Sequence, residues 1–63
     1  MSKAEAIQQM QQGHKVSHIN FSDDEFIYLK NGEIHDEQNL NINSEFWSIR
    51  ATPEWNSGWF LFQ

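Results

Sequence analysis

The sequence predicts an α+β fold in which one N-terminal helix packs on a small antiparallel β-sheet. Three observations support this prediction: a helix-capping motif at the start of the chain, strand-like alternation further on, and an Asn-Gly dipeptide between two strand-like segments. The 63 residues form a single small domain, residues 1–63. Because the chain contains no cysteine, dense aromatic packing, a bound metal or self-association must support so small a core.

The predicted helix covers residues 3–12. Ser2 and Glu5 have the spacing of a capping box, in which each side chain accepts a hydrogen bond from the backbone N–H of the other. Three apolar residues then share one helical face: Ala6, Ile7 and Met10. Gly13 is able to adopt the left-handed conformation that ends a helix. So short a helix is unstable alone in water, so its apolar face must pack on the rest of the chain.

Alternation of side chains predicts strands at residues 15–19, 26–30 and 33–37. The second and third of these are joined by Asn31-Gly32, the strongest short-range signal for a hairpin, because both central residues of a type I′ turn have positive φ.

The segments after this hairpin are less regular. Residues 39–44 are rich in Asn and are predicted to form an extended loop anchored by Leu40 and Ile42. The run Phe46-Trp47-Ser48-Ile49 fits either a strand or a single helical turn, since four residues do not define a period. Residues 52–58 have the composition of a turn.

The terminal segment, residues 59–63, is predicted to be a strand with apolar residues on both faces. Trp59 and Leu61 lie on one face, and Phe60 and Phe62 on the other. We therefore expect a central strand or a strand at a subunit interface, and we expect the chain to form a homo-oligomer.

Composition narrows the classes of function. Four Lys and Arg residues face nine Asp and Glu residues, which gives a formal net charge of -5. So few cations release too few phosphate counterions to hold a nucleic-acid backbone, so DNA and RNA are not expected partners. No apolar run approaches the roughly 20 residues of a bilayer span, and no signal peptide is visible, so we expect no membrane partner and a cytoplasmic location.

No metal site, cofactor or catalytic site is predicted. His14 and His18 are four residues apart, roughly 13 Å along an extended segment, which is too far for one ion even if His35 joined them. Asp36 and Glu37 have the residue type of a general acid and base. No nucleophile, phosphate-binding glycine loop or Ser/His/Asp spacing accompanies them, so we expect no enzyme.

Two acidic groups are candidates for a partner-facing patch. Asp23, Asp24 and Glu25 precede the second strand, and Asp36 and Glu37 end the third. Such a patch suits docking on the basic groove of a nucleic-acid-handling protein. The alternative is a solvated acidic turn.

The candidate ligand-binding residues are three tryptophans and two cations. Trp47, Trp55 and Trp59 are more large rings than so small an interior readily encloses, and indole faces stack on planar bases. Lys15 and Arg50 are the cations that would meet phosphate or carboxylate groups. The alternative is that the aromatic residues simply form the core.

The order of several short motifs resembles short accessory proteins of tailed phages and prophages. The residues that carry the resemblance are Ala6-Ile7, Gly13-His14-Lys15-Val16, Phe21-Ser22-Asp23-Asp24-Glu25, Asn31-Gly32-Glu33-Ile34, Phe46-Trp47 and Gly58-Trp59. Their arrangement is similar to the Thoeris anti-defence sponge family. The resemblance implies an oligomer that sequesters a cyclic ADP-ribose-type nucleotide without cleaving it.

Two functions follow from these observations. In the first, the chain is a phage counter-defence protein that sequesters a nucleotide signal in the cytoplasm of the bacterial host. In the second, it is an acidic inhibitor, anti-CRISPR-like or directed at a nuclease or helicase, that docks on a host or defence enzyme. The aromatic residues and the resemblance favour the first function, and the net charge favours the second.

Overall fold

The computed structural model describes residues 1–63, and its first element is helix α1, Lys3–Gln11. The predicted capping box is present: Glu5 N–H donates to Ser2 Oγ at 3.1 Å, and Ser2 N–H donates to Glu5 Oε1 at 2.8 Å. Gly13 has φ +92°, and the N–H groups of Gly13 and His14 donate back to carbonyls of the last helical turn. The helix is therefore confirmed, and it ends one residue earlier than predicted.

Four antiparallel strands form one sheet: β1 (Val16–His18), β2 (Ile27–Lys30), β3 (Glu33–Asp36) and β4 (Trp59–Leu61). Their order in space is β3-β2-β1-β4. The predicted α+β class is confirmed. The expectation of a central terminal strand is wrong, because β4 lies at an edge of the sheet. The other expectation for this strand, a subunit interface, stays a prediction.

The predicted hairpin joins β2 and β3. Asn31 has φ 55° and Gly32 has φ 78°, so both central residues are in the left-handed region that a type I′ turn requires. The turn sets a register in which Tyr28 is opposite His35 and Leu29 is opposite Ile34.

A second helix, α2 (Asn43–Ser48), follows the sheet, and two 3₁₀ turns lead from it towards β4 at Ile49–Ala51 and Pro53–Trp55. The open question at residues 46–49 is thus settled as helical. The extended loop predicted for residues 39–44 is wrong at its end, where α2 begins. Leu40 is 57% exposed and is not an anchor, because its backbone, and not its side chain, is what attaches to β3.

Both helices cover the same face of the sheet. The fully buried apolar residues form one cluster: Ala6, Met10, Val16, Ile27, Ile34, Phe46 and Trp59. Residues that are paired directly across neighbouring strands point to the same face, so Val16, Ile27 and Trp59 define a core face. The alternate residues define an outer face, which neither helix covers.

Candidate functional site

The outer face carries a row of aromatic rings that crosses the sheet. Its members come from three strands or their ends: Phe62, Phe26, Tyr28 and His35. Ring centroids are 4.6 Å apart for Phe62 and Phe26, 6.1 Å for Phe26 and Tyr28, and 6.0 Å for Tyr28 and His35. Phe60, 46% exposed, extends this aromatic row on β4. Such a surface offers flat, partly exposed faces on which a planar ligand can stack.

Two of the four cations of the chain lie on the outer face. The Lys15 Nζ atom is 4.7 Å from the centroid of the Phe26 ring. Lys30 Nζ donates to Asn39 Oδ1 at 3.1 Å, and the Tyr28 hydroxyl donates to the same oxygen at 2.7 Å. The Lys30 side chain is therefore held beside Tyr28, at the end of the row away from Phe62.

His35 adds a polar group at this end of the row. Its Nδ1 atom is 2.9 Å from the Glu33 carbonyl oxygen, which can only accept, so Nδ1 carries a proton. In the neutral ring, Nε2 is then left as an acceptor. The outer face thus has an apolar end at Phe60 and Phe62 and a hydrogen-bonding end at Tyr28, Lys30 and His35.

A groove of about 520 Å³ lies at the apolar end of the outer face, along β4. Ile19, Asp23, Phe60 and Phe62 are among the residues that line it. Ile19 is 72% exposed, so an apolar side chain stands at the wall of the groove in contact with solvent. The groove and the aromatic row share Phe62 and form one continuous surface.

The tryptophans predicted as ligand contacts lie elsewhere. Trp59 is 1% exposed on the core face, and its indole N–H donates to the Trp55 carbonyl oxygen at 2.7 Å. The Trp55 ring is half-buried beneath the Arg50 guanidinium, whose carbon is 4.4 Å from the ring centroid. Arg50 in turn pairs with Glu45 at 3.6 Å. These rings and this cation are packed on one another, so they leave little open ring surface for a base.

Trp47 and Lys15 are separated from that group and from each other. Trp47 is 53% exposed on α2, where its indole N–H donates to Asn43 Oδ1 at 3.2 Å. Lys15 is on the opposite side of the sheet, with the aromatic row. The structure therefore brings together Trp55, Trp59 and Arg50 and does not bring Trp47 or Lys15 to them.

Apart from Lys15, the residues of the outer face are not among the ligand-binding residues predicted from the sequence. The signal is nevertheless present in residues 26–30, where Phe26, Tyr28 and Lys30 alternate with Ile27 and Leu29. Once Asn31-Gly32 fixes the hairpin register, the same alternation places His35 beside Tyr28.

The predicted acidic residues differ in their exposure and in whether their carboxylates accept hydrogen bonds within the fold. Asp23 and Asp24 are exposed. The Glu25 carboxylate accepts hydrogen bonds from the N–H and hydroxyl of Ser22, at 3.0 and 2.9 Å, and these bonds lower the pKa of Glu25. Asp36 Oδ1 accepts hydrogen bonds from the backbone N–H groups of Gln38 and Leu40. Glu37 is half-buried.

The three histidines are in different environments. His14 is exposed, His35 is on the outer face, and His18 is buried with both ring nitrogens hydrogen-bonded, to Ser57 O and to Asn20 N–H. No group of three or more His, Asp or Glu side chains could hold a metal ion. Neither helix combines the length and the apolar character needed to cross a membrane. No family model, curated protein or solved structure matches the chain.

Proposed function

We propose that the protein is a non-catalytic phage counter-defence protein that sequesters a nucleotide signal of the cyclic ADP-ribose type in the host cytoplasm. The observation that carries the proposal is the uncovered aromatic row, with Lys15 at one end and Lys30 at the other. The resemblance to the sponge family supports the same ligand class.

The outer face suits the chemistry of a nucleotide. Bases have flat faces that stack on aromatic side chains, with about 1–3 kcal/mol for each stacked base. Phosphate groups need cations or hydrogen-bond donors, and Lys15 and Lys30 are the cations on this face, whereas the Tyr28 hydroxyl already donates its one proton to Asn39 Oδ1. Binding without turnover fits a surface that combines stacking and charge but has no nucleophile activated by a base.

The net negative charge of the protein opposes binding of an anionic nucleotide. The cations that bind the phosphate groups must therefore contact the ligand directly. At -5 the whole protein repels an anion at long range, and salt screens that repulsion over about 10 Å. Lys15 and Lys30 act at contact distance, where screening is weak. We therefore expect moderate affinity that changes little with ionic strength.

Isothermal titration calorimetry with a cyclic ADP-ribose isomer series tests the proposal directly. Phe26→Ala and Lys30→Gln should each weaken binding by about tenfold or more, because each removes one contact on the outer face. Trp47→Ala is the matched control, since it removes an exposed ring from the opposite side of the sheet.

Recovery of the ligand separates binding from catalysis. Heating the complex should release the nucleotide unchanged, in an amount proportional to the protein. If Trp47→Ala abolishes binding while Phe26→Ala leaves it intact, the site is not the outer face. Conversion of the nucleotide in excess over the protein would exclude sequestration as the activity.

The second candidate function is inhibition of a protein, and Asp23 and Asp24 favour it. Both carboxylates are exposed, and the single ion pair of the structure joins Glu45 to Arg50 instead. The variant Asp24→Asn, which keeps the groove residue Asp23 and changes the net charge by only one unit, should weaken docking on a basic partner and leave nucleotide binding nearly unchanged. Loss of counter-defence activity in this variant, with nucleotide binding intact, would assign the function to the acidic turn.

A further inference from the structure

The two edges of the sheet are protected to different extents. At the β3 edge, Ile34 O accepts from Ile42 N–H at 2.8 Å, and Asp36 N–H donates to Leu40 O at 2.9 Å. The segment before α2 therefore satisfies the outward backbone groups of β3. A covered edge of this kind cannot pair with another chain.

The β4 edge is covered at one residue only. Trp59 N–H donates to Met1 O at 3.1 Å, and the Met1 ammonium donates to Trp59 O. Beyond Trp59, Phe60 pairs with Ser17 and Phe62 N–H donates to Lys15 O, so Leu61 between them directs its N–H and C=O away from β1. Leu61 lies on the free edge and is 41% exposed.

We propose that the free edge at residues 61–63 pairs antiparallel with the same segment of a second copy of this chain. A two-fold axis at Phe62 places Leu61 opposite Gln63 of the second copy, and Gln63 opposite Leu61 of the second copy. Both are positions whose backbone groups point outward, so the pairing forms up to four hydrogen bonds. Met1 stays on Trp59, because this register does not extend to it.

Charge and shape favour a second copy over other occupants. Residues 55–63 contain no charged side chain, although the chain as a whole has a net charge of -5. The devices that usually block an edge, a lysine, a proline or an inward-pointing charge, are therefore missing from β4. The exposed apolar side chains Ile19, Phe60 and Leu61 all line the groove beside β4. An apolar, self-complementary edge without charged side chains best fits a second copy of itself.

The pairing has a consequence for the outer face. Antiparallel pairing keeps Phe62 and Phe62 of the second copy on the same face of a continuous sheet of eight strands. The two aromatic rows then meet end to end, and the two grooves beside β4 become neighbours. Lys15 of each copy also lies near the junction. The dimer therefore places two lysines there, where one chain has one. The dimer itself does not rest on the proposed ligand.

Sedimentation equilibrium of the full chain, from low micromolar to about 1 mM, tests the proposal. The mass should rise from 7.5 kDa towards about 15 kDa. Higher salt should strengthen the dimer by screening the repulsion between two acidic chains, whereas salt weakens binding of the acidic turn to a basic partner.

Leu61→Pro is the sharpest variant, because it removes the outward N–H and no hydrogen bond to β1. We expect at least about tenfold weaker self-association. Leu40→Lys is the matched control, since it changes an exposed leucine at the covered edge and should leave the dimer intact.

Amide exchange of the unmodified protein gives a measurement that does not depend on any variant folding. The Leu61 and Gln63 amides should become protected as concentration rises, while the Asn31 amide in the hairpin turn should not change. A monomer at about 1 mM, or a dimer that Leu61→Pro leaves undiminished, refutes the proposal.

Discussion

The two faces of the sheet contain similar side chains and differ in what covers them. On the core face Trp59 and His18 are each 1% exposed, and their ring N–H groups have carbonyl partners. On the outer face Phe60 is 46% exposed and Tyr28 is half-buried. The comparison teaches that a small protein can divide its aromatic residues by strand alternation, with one set buried in the core and the other partly exposed on the opposite face.

Among the substitutions that test this difference between the two faces, Trp59→Ala should cause the largest loss of stability. The ring contacts His18, Phe21, Phe46 and Trp55, and its loss leaves a cavity at the centre of the core. We expect a loss of about 3–5 kcal/mol in the free energy of unfolding, measured by urea denaturation. At roughly 0.05–0.15 kcal/mol of stability per residue, that loss is a large fraction of the total for a domain of this size.

Phe60→Ala is the control for the same strand, because residue 60 points to the outer face. It should cost about 1 kcal/mol or less. Equal losses from the two substitutions would show that the outer face is as important to folding as the core face, and the distinction between them would fail.

A second pair of substitutions compares a histidine on the core face with a histidine on the outer face. His18→Phe keeps a ring but removes the partner of the Ser57 carbonyl and of the Asn20 N–H in a partly buried site. We expect a cost of roughly 2–4 kcal/mol, measured by urea denaturation. His35→Phe on the outer face should cost less than about 1 kcal/mol. A His18→Phe variant as stable as the parent would mean that these hydrogen bonds are replaced by solvent.

How much the sequence predicts depends on whether a signal is local. The capping box at Ser2 and Glu5 and the turn at Asn31-Gly32 are local, and the structure confirms both. The position of β4 at an edge depends on pairing between residues 41 or more apart, such as His18 with Trp59, and no local pattern specifies it. The stacking of Arg50 on Trp55 is likewise set by the packing of the 3₁₀ turns.

The sequence does not single out the outer face, for a related reason. Residue type singled out the tryptophans, whereas exposure depends on which face each strand presents. Phe60 of β4, with Phe26 and Phe62 next to β2 and β4, lies on a surface because both helices pack on the other face. The self-association expected from the terminal strand stays a prediction, now with a specific edge.

Gly32→Val should have an intermediate effect on stability. It acts on the turn that sets the hairpin register, and this register decides which side chains lie on each face. Residue 32 has φ 78°, a conformation that costs a β-branched residue about 1–2 kcal/mol. A slip of one residue would move Tyr28 from the outer face to the core face. Thermal unfolding and the chemical shifts of Tyr28 measure the two effects. Gln38→Val, at an exposed position without positive φ, should leave both unchanged.

The smallest expected effect concerns Glu25, which closes the turn leading into Phe26 and the outer face. Hydrogen bonds from Ser22 lower the pKa of Glu25 from 4.5. A group whose pKa is lower in the folded state contributes stability above its unfolded pKa and loses it as the pH falls through the folded pKa. Stability should therefore decline as the pH falls below about 4.5, by about 0.5 kcal/mol or less from this exposed carboxylate.

Glu25→Gln isolates that contribution, because the amide oxygen can still accept from Ser22 but does not titrate. The slope of the melting temperature against pH between about 4.5 and 3 should be smaller in this variant than in the parent. Ser22→Ala should remove part of the same slope, since it deletes the hydroxyl donor and keeps the backbone N–H. In the double variant the effects should not add, because both act on one interaction. Identical slopes in Glu25→Gln and the parent would show that this turn, and with it the placement of Phe26, does not depend on the charge of Glu25.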